Sequence, residues 1–218
     1  MADDLALVGY RFSVYTRIVR AVLHLKGLEY RTVEVDPFAV DPPPLLRDLH
    51  PFGRVPVLQH GVFSLYETTA ITRYLDQISH PLSLCPYGAR DQARMQQVIG
   101  MVDAYVYWPM VRQVFSHRVF RAASGGQGDE AEIENGLIAS HKALHALETI
   151  ATEGLVLNTD DVTLADCHLA PMIGYFVQSP EGADALAAYP ALSKWWASRS
   201  NAAFMAATDP GLPGRVAD

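Results

Sequence analysis

The spacing of apolar positions changes near Ser79. Before it, short apolar runs alternate with helical patterns, as in a mixed α/β unit, and beyond it the strand signals stop. Leu5 to Gly9 predicts a strand. Thr16 to Lys26 predicts a helix with Ile18, Ala21, Val22 and Leu25 on one face, Arg17, Arg20 and His24 opposite, and Gly27 to end it. Glu29 to Val35 alternates as a second strand, and the proline-rich Asp36 to Pro44 leads into a short helical turn ending near Leu49. Val55 to Gln59 and Val62 to Tyr66 are two more strands, joined at His60-Gly61, a pair suited to a tight hairpin. Thr68 to Ile78 is a helix with Ile71, Tyr74, Leu75 and Ile78 as its apolar stripe.

The order β-α-β-α-β-β-α, with a parallel first crossover and an antiparallel closing hairpin, describes a thioredoxin-like sheet covered by helices. The expected organisation is an α/β thioredoxin-like domain over residues 1–80, a linker over 81–88 carrying Pro81 and Pro86, and an all-α helical bundle over 89–218. Met95, Val98, Ile99, Val102 and Val106 form one stripe of the bundle, and Ile133, Leu137, Leu144 and Leu147 another. Pro109 is expected to kink the helix from Met95 to Phe115. Ser124 to Asp129, with Gly125, Gly126 and Gly128, reads as a flexible connection. It is not a phosphate loop, because no strand precedes it and no lysine follows the glycines.

Composition removes several function classes. Half of the 218 residues are apolar, enough for a sizeable core, and 17 basic against 24 acidic residues leave a formal charge of −7. With no basic run, a nucleic-acid partner is not expected. Asp3 and Asp4 stand where a signal peptide would carry basic residues, so a cytoplasmic location is expected. No apolar run approaches the ~20 residues of a membrane span. Cys85 and Cys167 lack a CxxC spacing, so both are expected to be reduced thiols, with Cys167 as inert core. His141 and His145 lie four apart, but no carboxylate accompanies them and no third ligand is evident, so no metal is expected.

Two segments carry candidate chemistry. In HPFGRVPVLQHGVFSLYETTAITRYLD, from His50 to Asp76, Pro56 opens a strand, and a cis bond before it would turn the neighbouring carbonyl and amide toward a bound peptide. Glu67-Thr68 marks a strand-to-helix junction whose amides and dipole can receive a carboxylate. In Gly9 to Arg17 a hydroxyl at a helix start can hydrogen-bond a sulfur and favour its thiolate form, the nucleophile. Ser13 is the first choice there and Tyr10 the rival. Thr163-Leu164-Ala165-Asp166 reads as a capping box with a folding role.

The spacing of Pro51, Gly53, Val55-Pro56, Glu67-Thr68, Ile71, Tyr74 and Leu75 closely resembles the glutathione-binding core of the cytosolic glutathione transferase family. Ser13, Thr16 and Arg17 resemble the Ser-x-x-Thr-Arg turn of its serine-using, phi-like members, here taken as a bacterial type. The resemblance implies glutathione as co-substrate, its cysteine paired with the backbone of Val55 before Pro56, and its γ-glutamyl carboxylate at Glu67 and Thr68. Ser13 would activate the sulfur, and Tyr10 stands where tyrosine-using members place theirs. Lack of cysteine in this turn implies conjugation rather than thiol transfer. Relatives carry a basic pair where this chain has Asp41-Pro42-Pro43, so Arg54 is expected to take part of that anchoring. Phe12, Tyr107 and Met110 are the candidates to contact a small apolar electrophile, beside Tyr105 and Trp108 on the same helix. Phe52 occupies the place of an aromatic that plugs into a partner subunit, implying a homodimer. The alternatives are a non-catalytic glutathione-binding or scaffolding relative, or a glutathione-dependent isomerase or peroxidase.

Overall fold

Strand β1 (Leu5–Gly9) is buried along its whole length, so it lies inside a sheet with neighbours on both sides. In the computed structural model, which describes residues 4–40, 43–79 and 82–214, those neighbours are β2 (Arg31–Glu34), which runs parallel, and β3 (Val57–His60), which runs antiparallel. β4 (Phe63–Tyr66) completes the order β2-β1-β3-β4. The chain reverses between β3 and β4 at Gly61, whose φ of 58° is left-handed. Asp41, Pro42, His80 and Pro81, from the proline loop and the linker, lie outside the described residues.

Two compact units emerge. The first reaches to Leu84 and takes in Ala206–Pro210; the second holds Cys85–Met205 and resumes at Gly211. In the first, Val8 and Val57 are cross-strand partners and share a core cluster with Val35 and with Leu46 of α2 (Pro44–Leu49). Strand alternation turns Leu7 and its partner Leu58 the other way. Helices α1 (Val14–Leu25) and α3 (Thr68–Ile78) pack against each other and bury Ile18, Val22, Ile71 and Leu75.

Two details of these helices differ from expectation. Arg17, placed on the polar face of α1, is only 4% exposed, because the distant Ala206–Pro210 segment returns over it; its Nε donates to Thr208 Oγ1 at 3.5 Å. Ile78 is 39% exposed, whereas Thr72 and Asp76 are buried. Asp76 is held there by Lys26 Nζ at 3.0 Å and by the amide of Leu84 at 2.7 Å. A buried carboxylate is tolerable only when paired and hydrogen-bonded in this way.

The second unit is helical. α4 (Ala89–Met101) runs on into α5 (Val102–Phe120), whose wider turns carry Pro109 without ending. α6 (Glu130–Glu153) crosses α5 at Gly136, where an added Cβ would meet Pro109 O at 2.8 Å and Gln113 Cβ at 2.7 Å. Close backbone approach therefore demands glycine there. α7 (Leu164–Phe176), α8 (Pro180–Ala187), α9 (Pro190–Ser200) and α10 (Ala203–Ala207) follow. At the head of α7 the expected capping box is closed: Asp166 Oδ2 accepts from both the backbone N–H and the hydroxyl of Thr163 at 2.8 Å. Asp166 Oδ1 takes Trp195 Nε1 at 2.7 Å and Arg199 Nε at 2.8 Å, with no solvent exposure. Nearby His168 is fully buried, and desolvation pushes its pKa down to about 3. Both cysteines are buried, and no disulfide joins them. No helix among the described residues is long and apolar enough to cross a membrane.

Candidate functional site

Register across the sheet determines which candidate residues meet. Val8 pairs with Val57, and Val57 with Tyr66, in one row across β1, β3 and β4. One step toward the same edge are Gly9, Pro56 and Glu67, so the turn into α1, the proline and the start of α3 share one end of the sheet. The Val55-Pro56 peptide is cis.

The turn from β1 into α1 is compact for a steric reason. A Cβ on Gly9 would sit 2.5 Å from Thr16 Cγ2, so only glycine lets the helix start this close to the strand. Ser13 caps α1 from an extended backbone, its Oγ accepting the Thr16 N–H at 3.3 Å. It is half-buried and sits at the positive end of the helix dipole. The Tyr10 carbonyl accepts the Ser13 N–H at 2.9 Å, and the Tyr10 ring packs edge-on to Phe12 and Phe38. Burial, then the charges of Asp36 and Glu34, raise the Tyr10 phenol above its ordinary value, with Arg11 opposing. Tyr10 therefore keeps its proton near neutrality and can donate it in a hydrogen bond, but is poorly suited to act as a phenolate.

Glu67 is the most unusual backbone position of this edge. It heads α3 with φ 71° and ψ 116°, where a side chain is strained, and makes no side-chain cap for the helix. Thr68 behind it is buried. Backbone strain in an exposed carboxylate residue at an uncapped helix start marks a place kept for something other than folding.

Arg54 is exposed and Val55 half-buried. Arg54 acts on His50, which sequence reasoning did not single out. Burial lowers the His50 pKa, Glu67 opposes that and Arg54 adds to it, so all three lie in one electrostatic neighbourhood. The signal available beforehand was only a histidine at the end of α2 before Pro51-Phe52. Phe12 is half-buried, with the Arg11 guanidinium 4.9 Å from its ring centre. On α5 of the second unit Tyr107 is half-buried, whereas Met110 is fully buried and offers no surface to a ligand in this conformation. Phe52 is 70% exposed. Among the described residues no three His, Cys, Asp or Glu side chains are grouped to hold a metal.

Comparison with known proteins bears on the family and the fold. Residues 12–78 match the model for the glutathione S-transferase N-terminal domain, and residues 99–201 that for the glutathione S-transferase C-terminal domain. A glutathione S-transferase of Silene vulgaris is 32% identical over 171 residues, 76% of this chain and 78% of its own. Glutathione S-transferase F13 of Arabidopsis thaliana is 27% identical over 209 residues, 94% of this chain and 95% of its own. The solved structure of glutathione S-transferase III in apo form superimposes with a TM-score of 0.83 at 26% identity, covering 99% of this chain and 100% of that one. Both sequence relatives are plant proteins, which gives no support to a bacterial subtype. With both halves of the chain matched in order and the thioredoxin-like sheet and helical unit in place, the chain belongs to the glutathione S-transferase family.

Proposed function

We propose that this protein binds glutathione along the sheet edge that carries Val55, Pro56, Glu67 and Thr68, and that Ser13 stabilises the bound thiolate for attack on an apolar electrophile. The backbone of Val55 pairs with the cysteinyl unit of glutathione. The amides heading α3 and the Thr68 hydroxyl take the γ-glutamyl carboxylate, while the Glu67 carboxylate faces the α-ammonium group. Arg54, exposed beside Val55, serves the glycine carboxylate. Ser13 already stands at a helix start; by turning its hydroxyl from the Thr16 amide to the sulfur it lowers the thiol pKa together with the dipole. Phe12, beside Ser13 in the turn into α1, is an apolar contact for the electrophile. The Glu67 position carries this reading: an exposed carboxylate residue is held at positive φ at the head of α3, and its side chain makes no cap bond to the helix.

Conjugation is the preferred reaction, since the α1 turn has a hydroxyl and no thiol with which to form a mixed disulfide. The exposed Phe52 supports a two-fold homodimer. Two cysteines outside any disulfide suit a reducing, cytoplasmic setting.

Calorimetric titration with glutathione, followed by conjugation assays with an aromatic halide, tests the assignment. Ser13→Ala is expected to lose about 10²-fold in kcat/KM while keeping glutathione affinity. Activity that survives Ser13→Ala and vanishes in Tyr10→Phe moves the role to Tyr10. Binding without turnover in the wild type makes the protein a scaffold.

A further inference from the structure

His50 stands where several parts of the proposed site meet. Its backbone N–H closes α2 on Leu46 O at 2.9 Å, and its carbonyl accepts the Gly53 N–H at 2.8 Å. The ring Nδ1 accepts the Phe52 N–H at 3.2 Å. One face of the imidazole lies on Tyr66, with ring centres 4.7 Å apart, and Tyr66 leads directly into Glu67. Only 3% of His50 is exposed, so the ring has little room to swing. One side chain thus joins the turn that delivers Arg54 and Val55 to the strand end that delivers Glu67.

Accepting a backbone N–H requires a lone pair on Nδ1, so the neutral ring carries its proton on Nε2. Protonating Nδ1 would set donor against donor and release the turn. We infer that His50 is a positioning residue for glutathione, holding the Arg54-Val55 side and the Glu67 side of the cleft in register through its Nδ1 and its ring face. This rests on the reading above that Val55 and Glu67 grip the tripeptide. Burial lowers the basicity of His50, Glu67 raises it and Arg54 lowers it. Tyr66 lies on its face, and Arg47 and Asp48 precede it in the chain on α2. Release of the turn therefore falls on the acid side of neutrality.

The test uses S-methylglutathione, which keeps the charged ends of glutathione and has no thiol to ionise. Its Kd is measured by calorimetry between pH 5 and 8 for the wild type, His50→Asn and His50→Phe. Wild-type Kd is expected to be flat above about pH 6.5 and to rise severalfold below it. In His50→Asn the amide oxygen of the new side chain replaces Nδ1 as acceptor and does not titrate, so this variant loses the acid-side rise and, giving up only the ring contact, binds between wild type and His50→Phe. His50→Phe keeps a ring against Tyr66 but has no acceptor, and binds about tenfold more weakly at every pH. A Phe variant that binds like wild type, or an Asn variant that keeps the acid-side rise, overturns the inference. If His50→Phe does not fold, the pH profile of His50→Asn decides alone. Absence of any wild-type binding overturns the proposed function itself, a different result from binding indifferent to the residue at this position.

Discussion

The starts of α7 and α3 are both polar helix ends, and they are finished in opposite ways. At α7 the protein supplies every partner: Thr163 and Asp166 close the box, and Trp195 and Arg199 saturate the remaining carboxylate oxygen. At α3 the residue in the cap position makes no side-chain bond to the helix and is held at φ 71°. Both ends carry a carboxylate, but Asp166 has no solvent exposure and Glu67 is open. A satisfied polar end stabilises the fold, whereas the strained and open end is the one the proposed function gives to a ligand.

Substitutions at the two ends should therefore act in opposite directions. Asp166→Ala, the largest effect, leaves Arg199 buried without its charge partner and is expected to cost about 3–5 kcal/mol in urea unfolding. A loss below ~1 kcal/mol would remove the contrast. A second effect at the same end follows from His168. Its folded pKa, lowered to about 3, lies below the ~6.5 of an unfolded histidine, so the unfolded chain binds the extra proton between these values. The stabilising contribution is whole above ~6.5 and shrinks as pH falls toward 3, by about 2 kcal/mol at pH 5. His168→Gln should flatten that part of the stability profile; an unchanged slope would assign the acid sensitivity elsewhere. The smallest effect is at α3 and has the reverse sign. Glu67→Gly should stabilise the protein by about 1 kcal/mol through relief of the backbone, while weakening glutathione binding. If it destabilises the fold, Glu67 is structural after all.

Much of the first unit could be read in the chain because local patterns and tertiary demands agree there. β1 is bounded as its apolar run suggests, and α3 runs from Thr68 to Ile78 as its spacing suggests. α1 starts two residues earlier than the periodicity indicates, since Ser13 is already its cap. Arg17 looked solvent-facing because the segment covering it lies almost at the far end of the sequence, where no local pattern refers to it. The wide turns of α5 were equally hidden; a proline in a helical stretch suggested a kink. At the site, residue types were legible and conformations were not. Glutamate gives no local hint of positive φ, which the fold imposes at Glu67, and the role of His50 depends on Tyr66, which only strand pairing brings within reach.

The two hidden sulfhydryls have a consequence for a protein assigned to electrophile chemistry. Cys85 and Cys167 are the whole thiol content of the chain, and both are shielded from solvent. An alkylating compound consumed by this catalyst therefore meets no exposed cysteine thiol, the side chain most reactive toward such reagents.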